Sequence, residues 1–285
     1  MTTIAPTPAA SVTLTIDLTA PFHHGAGTAG NTSLLRTQDV VQPDGTVSRV
    51  PFLSAASIRH ALRDALAWHT AHTLNIEPGS LSKGIVDLLW TGGAVSSTGA
   101  KTDLDMMRRV EEHYPALSLL GYAAKSDIIT GTLRASDLIV VCQENDWRLP
   151  ENLRGARRAA AYRAEEFGTR HDQATSPAGR YLAVVDEVDT TQMIWDTQTL
   201  AAGSTLHGAV SLTPAATSMH HTILGAALAL WAPDGQVAIG AKTAQGYGAG
   251  IIRDWKSHAD DLYEWTQHLT NHKQDILDLL TELGE

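Results

Sequence analysis

The sequence holds a single cysteine, Cys142, three phenylalanines, and no apolar run approaching the ~20 residues needed to cross a membrane. One thiol excludes a disulfide and a cysteine-based zinc site. Its place in the apolar run of residues 138–142 makes it a buried thiol of a reducing compartment. Residues 1–10 lack the charged and apolar regions of a signal peptide, so a cytoplasmic protein without membrane contact is expected. Positive charge is also short: 21 Lys and Arg face 31 Asp and Glu, a formal net charge of -10. Nonspecific attraction to nucleic acid comes from positive charge, so this balance excludes indiscriminate binding and leaves room for a local groove. The charges are segregated, with Arg154, Arg157, Arg158, Arg163 and Arg170 close together and residues 260–285 mostly acidic.

What is present is the material of one large domain, residues 1–285, 43% hydrophobic and long enough to bury a full core and carry insertions. Residues 12–18 (V-T-L-T-I-D-L) alternate apolar and polar side chains, the pattern of a half-buried strand. A small-residue loop, 23–30 (H-H-G-A-G-T-A-G), follows, then a hairpin-like excursion around Pro43-Asp44-Gly45. Residues 54–74 read as a helix with Ser54 as N-cap and Ile58, Leu62, Ala65 and Leu66 as its buried stripe. Residues 85–121 form a finger-like insertion, with a helix at 103–113 and a flexible loop at 92–101. Then come a strand at 131–141, the arginine-bearing segment 153–167, two extended arms at 182–188 and 193–200, and a strand at 205–212. A helix at 219–231, a glycine-rich stretch at 240–250, a strand at 251–255 and a terminal helix at 259–283 complete the chain. Without insertions the order is strand, helix, strand, strand, helix, strand. That is the split β-α-β plan of an α+β, ferredoxin-like (RRM-like) fold, an antiparallel sheet with two helices on one face.

Two stretches carry possible chemistry. The first, P-F-L-S-A-A-S-I-R-H-A-L-R from Pro51, sets Arg59 and Arg63 four apart near a helix start whose free amides favour an anion. It can hold a phosphate backbone, or it is a core helix with two solvated arginines. The second, G-A-K-T-A-Q-G-Y-G-A-G from Gly240, is neither a P-loop, lacking a closing G-K-[ST], nor a dinucleotide fingerprint, lacking the third glycine. The pairs His23-His24 and His220-His221 have no HExxH-like spacing, and adjacent residues of a strand point to opposite faces. No metal site and no cofactor is expected.

Taken together these segments resemble the RAMP superfamily of CRISPR proteins, in particular the repeated backbone subunit that coats guide RNA in class 1 effector complexes, of type IV or type III-like kind. The resemblance rests on the H-H-G-A-G loop after the first strand, on the P-F-L-S-A-A-S-I-R-H-A-L-R stretch, on Leu200-Ala-Ala-Gly-Ser-Thr-Leu206, and on the late glycine-rich stretch, in the family's order. It implies a palm of ferredoxin-like type with a thumb-like insertion at residues 154–200, where Met193, Ile194 and Trp195 offer an apolar wedge to displaced bases or are simply core. It further implies a guide backbone running past Ser54, Ser57, Arg59 and Arg63 and past Lys242, Gln245 and Tyr247. His23, His24, Arg157, Arg158 and Arg163 complete the expected RNA-binding set. Expected partners are guide RNA (crRNA), copies of the chain along it, other effector subunits, and a DNA or RNA target paired with the guide.

One departure bears on activity. RNA-cutting relatives carry an aspartate between the first strand and first helix, within a pattern like V-D-S-x-V-I-R. The nearest match here, G-N-T-S-L-L-R from Gly30, places Asn31 there. An amide cannot take a proton or ligate a metal as a carboxylate does, so a binding subunit that does not cut is expected. Three alternatives stand: an RNA-cutting subunit using Asp39, a guide-processing nuclease using His23 or His24, and an oligomeric protein unrelated to RNA.

Overall fold

The computed structural model describes residues 11–95, 103–170, 177, 180 and 193–284, and the side chain of Met193 lies outside the described set. The N-terminal segment 1–10, most of the 92–101 loop and the 182–188 arm are therefore outside it as well.

Strand β1 (Ser11–Leu18) buries Leu14, Ile16 and Leu18 on one face, as its alternation predicts. Each buried side chain of this size contributes roughly 1.5–3 kcal/mol, so this strand alone anchors a large share of the core. Next come β2 (Gly25–Ala29), β3 (Thr32–Leu35) and the hairpin of β4 (Thr37–Val41) and β5 (Val47–Leu53). Helix α1 (Ala55–Thr73) follows, burying Ile58, Leu62, Leu66 and Ala67 at helical spacing. The insertion holds α2 (Lys83–Trp90), α3 (Leu104–His113), α4 (Ala116–Leu120) and a small hairpin, β6 (Tyr122–Ala124) with β7 (Asp127–Ile129). After β8 (Leu133–Ala135) and β9 (Leu138–Val140), short 3-10 turns lead to β10 (Arg163–Arg170); β11 (Met193–Leu200) and β12 (Thr205–Leu212) come next. The chain closes with α5 (Ser218–Trp231), β13 (Gln236–Ala238), β14 (Ala249–Ile252), α6 (Ala259–Asn271) and α7 (Lys273–Gly284).

The central sheet runs β13-β14-β1-β12-β9-β5-β4, with β8 also on β12. β1 lies antiparallel to both β14 and β12, and β12 is antiparallel to β8 and β9. Counting only β1, α1, β8/β9, β12, α5 and β14, the strand order is fourth, first, third, second, the arrangement of a ferredoxin-like palm. Helix α5 is apolar nearly all round because it is covered on both sides. Gly225 faces Asp261 of α6 so closely that a Cβ has no room there.

Four expectations change in detail. Residues 23–30 are largely strand, since β2 pairs with β3. The strand at 131–141 is two short strands, interrupted where Asp137 turns its carboxylate to the amide of Ala55. Part of the arginine-bearing segment 153–167 is strand, since β10 pairs with β11 in register from Arg163↔Leu200 to Arg170↔Met193, while the 182–188 arm lies outside the described residues. The terminal helix is two helices, broken at Asn271 and His272, both weak helix formers. β10, β11, β3 and β2 make a second sheet, in which β11 runs parallel to β3. Cys142 is fully buried, and burial pushes its thiol up to about 12, as its apolar setting predicts. Among the described residues no helix is long and apolar enough to cross a membrane.

On the open side of β1, Arg253 next to β14 donates to both carboxylate oxygens of Asp17 at 2.7 Å. These hydrogen bonds hold the Asp17 carboxyl below the usual carboxylate range. A carboxylate with a depressed folded-state pKa stabilises the fold above its unfolded value, and loses that effect as pH falls through the folded one. Both side chains are partly exposed, which screens the pair. Asp17→Asn is therefore expected to cost no more than about 1 kcal/mol near neutral pH, with the deficit shrinking as the solution is made strongly acid. Urea unfolding of both proteins across a pH series checks this; a deficit that grows in acid contradicts it.

Candidate nucleic-acid interface

The N-terminus of α1 is already satisfied from within. Ser54 Oγ accepts from the amide of Ser57 at 3.3 Å, and the two hydroxyl oxygens lie 3.0 Å apart. The amide of Ala55 donates to Asp137 Oδ1 at 2.8 Å, so an internal carboxylate takes the place that an anion favours. Arg59 donates to the carbonyls of Leu133 and Leu120, and Arg63 to those of Leu120 (3.2 Å) and Gly121 (2.6 Å). Leu120 and Gly121 close α4, where helix carbonyls lack intrahelical partners. Burial lowers the pKa of both guanidinium groups, that of Arg63 to about 10, which leaves both charged at neutral pH. Arg59 and Arg63, expected from the sequence to hold a phosphate backbone, are thus engaged internally: the two side chains clamp the insertion onto α1.

A different set of cations faces open space. One cavity is lined by His24, Arg36, Leu53, Ser54, Ser57, His60 and Gly240, uniting the segment after β1, the start of α1 and the late glycine-rich stretch. A second, lined by Leu34, Arg36, Asp39, Arg49, Arg163 and Gln198, adjoins it through Arg36. Each measures about 460 Å³, within the ~300–1,000 Å³ typical of ligand pockets. The two share Arg36 and are hereafter called the groove at the seam between the two sheets. Each arginine in it keeps donors free, because a guanidinium has five N–H groups. Arg36 Nε donates to the carbonyl of Gly25 (3.1 Å) and Arg163 Nη2 to that of Arg49 (2.9 Å). Among the described residues Asp39 is the one acid lining either cavity, and it pairs across the β4–β5 hairpin with Arg49 at 3.4 Å, both largely exposed.

Of the two histidines, His23 Nδ1 donates to the carbonyl of Gln198 at 2.8 Å and so fastens β11. His24 faces the groove with Nε2 buried and without a hydrogen-bond partner among the described residues, and burial above all, aided by Arg36, lowers its pKa to about 4. It enters as a neutral ring. Lys242, in left-handed conformation, sends Nζ to Ser33 Oγ (3.0 Å) and Thr197 Oγ1 (2.6 Å), which ties the glycine-rich stretch to the second sheet. Gln245 is exposed and Tyr247 half-buried on the same stretch, and neither lines the groove. Arg157 and Arg158 are exposed ahead of β10 and stand outside its lining.

In the β10–β11 pair, Trp195 lies over Gly168, where its ring fills the space of a side chain. The exposed apolar groups on the opposite face are Ile194, 53% exposed, and Phe167, 76% exposed, which share a face because Phe167 pairs with Asp196 and Ile194 with Thr169. Asn31 is exposed in the β2–β3 turn, and its carbonyl accepts from the amide of Asp196 at 3.3 Å. The carboxylate of Asp196 is engaged by Thr32 Oγ1 at 2.7 Å. Sequence reasoning omits Arg36, Arg49 and Phe167 from the site. Arg36 ends the stretch compared with the cutting motif, but a motif alone does not say that its side chain meets α1.

Neither protein-family models nor curated proteins give a match to this sequence. Among solved structures the class is that of an α+β chain with this palm. The particular likeness is a chain of a structure described as a "Type IV-B CRISPR Complex", with a TM-score of 0.56 and 19% identity over 87% of this chain and 93% of that one. At that identity the likeness establishes a shared fold, and it falls in the group of complexes to which the sequence motifs point.

Removing the Arg63 side chain strands the carbonyl of Gly121, that of Leu120 still being held by Arg59, and deletes two charge-assisted hydrogen bonds, each such bond being worth roughly 1.5–3 kcal/mol. Arg63→Ala is expected to lower unfolding free energy by about 2–4 kcal/mol, read by denaturant titration. A shift below ~0.5 kcal/mol, the scale of ordinary surface substitutions, would mean that the clamp contributes nothing and the side chain is free for a ligand.

Proposed function

We propose that the chain is a guide-RNA-binding backbone subunit of a class 1 CRISPR ribonucleoprotein, of type IV kind, that binds without cutting. On this reading copies of it line up along the guide, beside other effector subunits, and hold the guide for pairing with a DNA or RNA target. The observation that carries the reading is the seam groove: on a chain of net charge -10, Arg36, Arg49 and Arg163 line one cavity with Asp39 as the only lining acid among the described residues. Contacts to phosphate fix register without reading bases, which suits a protein that must accept any guide. The serines and His60 at the start of α1 offer hydrogen bonds along the groove, and Lys242 keeps one ammonium proton beyond the two it uses internally. Phe167 and Ile194 supply an apolar face on the β10–β11 pair on which a displaced base can stack, at ~1–3 kcal/mol per base.

The absence of cutting rests on Asn31, an amide where the cutting pattern has an acid, and on Asp39 being held against Arg49. Incubating the assembled particle with RNA complementary to its guide and a divalent cation tests this. Cuts at regular spacing would overturn it.

Co-expression with a guide is expected to yield protein carrying RNA, seen in its absorbance ratio, in particles that image as a curved stack of equal subunits. A nucleic-acid-free monomer under those conditions would sink the proposal. Single-strand binding loses about 0.7 in the slope of log affinity against log salt for each phosphate contact removed. The triple variant Arg36→Ala, Arg49→Ala, Arg163→Ala is expected to bind more weakly across all guide sequences, with the slope reduced by about 2. An unchanged slope places the RNA elsewhere.

A further inference from the structure

Away from the groove, the fold brings together three ligand-type side chains that no local spacing in the sequence announces. His113 ends α3, His272 is the single residue between α6 and α7, and Asp275 lies in the first turn of α7. Their ligand atoms all lie within 4.8 Å of one another. The Nδ1 atoms of His113 and His272 stand 4.0 and 3.8 Å from the same carboxylate oxygen, Asp275 Oδ2. A second observation points the same way: His113 Nδ1 is buried and has no hydrogen-bond partner among the described residues, a state that costs free energy unless something binds the nitrogen.

We propose that His113, His272 and Asp275 form a binding site for one divalent transition-metal ion of the zinc class. Two imidazoles and a carboxylate suit Zn²⁺ and disfavour Mg²⁺ and Ca²⁺, which take oxygen ligands. Zinc bonds of about 2.0–2.1 Å set neighbouring tetrahedral ligands about 3.3–3.4 Å apart. The present 3.8 and 4.0 Å therefore close on an ion by small side-chain rotations, which His272 and Asp275, 37% and 57% exposed, can make. The exposed side of Asp275 leaves a fourth position to water. The surroundings hold the rings in place: His268 Nε2 donates to the carbonyl of His113 at 2.9 Å, its ring lies 4.5 Å from that of His272, and Trp265 stacks on its other side. An ion here joins the inserted helix α3 to the α6–α7 elbow beside the Arg109–Glu282 ion pair, so its role is structural.

The test is thermal unfolding of the chelator-stripped chain with Zn²⁺, Co²⁺ or Mg²⁺. Zn²⁺ at a hundredfold excess over its dissociation constant is expected to raise the melting temperature by about 5–10 °C. Co²⁺ is expected to give the visible absorption of four-coordinate nitrogen and oxygen ligation, and Mg²⁺ no shift. His272→Ala and Asp275→Ala, at partly exposed positions, are expected to keep the metal-free melting temperature and lose the shift and the colour, while His221→Ala keeps both. No Zn²⁺ shift, an equal Mg²⁺ shift, or a shift that survives in both variants would each overturn the site. If one variant fails to fold, the other decides.

Discussion

Two backbone hydrogen bonds govern the arrangement of the groove: the amide of Ala241 to the carbonyl of His23 at 2.8 Å, and the amide of Gly248 to that of Pro21 at 2.7 Å. They fasten the stretch between β13 and β14 to the segment leaving β1. The approach is close enough that Gly240, at φ 82°, cannot carry a Cβ without striking the carbonyl of His23, and Gly248, at φ 72°, cannot without striking that of Ile239. Glycine at these two places is thus a packing requirement as well as a conformational one. With that contact made, Gly240 and Ile239 become one wall of a cavity whose other wall is the start of α1. Lys242 then reaches across to Ser33 and Thr197 and locks the second sheet to the palm. The groove exists because these separate segments are bound at one seam.

Charge is then divided between internal and external use. Asp137, Arg59 and Arg63 are spent on orphan amides and carbonyls at the ends of α1 and α4, where a charged partner is worth more than a neutral one. Arg253 is spent on Asp17 across β1 and β14. What remains at the seam is Arg36, Arg49 and Arg163, each bonded through one donor or one loose ion pair and otherwise exposed to solvent. The helix that reads as the binding element contributes its serines and His60, while its arginines hold the insertion.

The palm is legible in the sequence because its signals are periodic. Residues 12–18 alternate with period two, α1 carries apolar residues at helical spacing, α5 is a long apolar run, and Ser54 caps where a cap is expected. β2 is not legible, since Gly25–Ala29 has no side chain larger than threonine and is a strand only because β3 pairs with it. The partner of β11 is hidden for a related reason: sheet pairing is a long-range fact, and β10 (R-A-E-E-F-G-T-R) carries no apolar alternation to mark it as a strand. The roles of the arginines are the least legible. Arg59 and Arg36 are alike in type and both near glycine- or serine-rich turns, yet Arg59 is held by the carbonyls of Leu133 and Leu120 while Arg36 bonds one carbonyl through Nε and is otherwise exposed, a difference set by where α4 and β3 lie.

The acidic total and the basic seam fit together on the proposed reading. At physiological ionic strength the field of a surface charge fades over about 8 Å, so the acidic helices α6 and α7 act on nucleic acid that approaches their own surface and little on a strand seated in the seam. A strand passing at random meets net repulsion, and only one threaded along the seam gains contacts to Arg36, Arg49 and Arg163. Three cations are too few to hold RNA tightly on one copy, because each phosphate contact adds only a modest, salt-dependent increment. Copies bound in series on one strand overcome that limit, since each added copy binds a strand already held in place and its increments multiply. Weak local contacts on an acidic chain therefore favour a filled array along a guide over isolated copies on unrelated RNA.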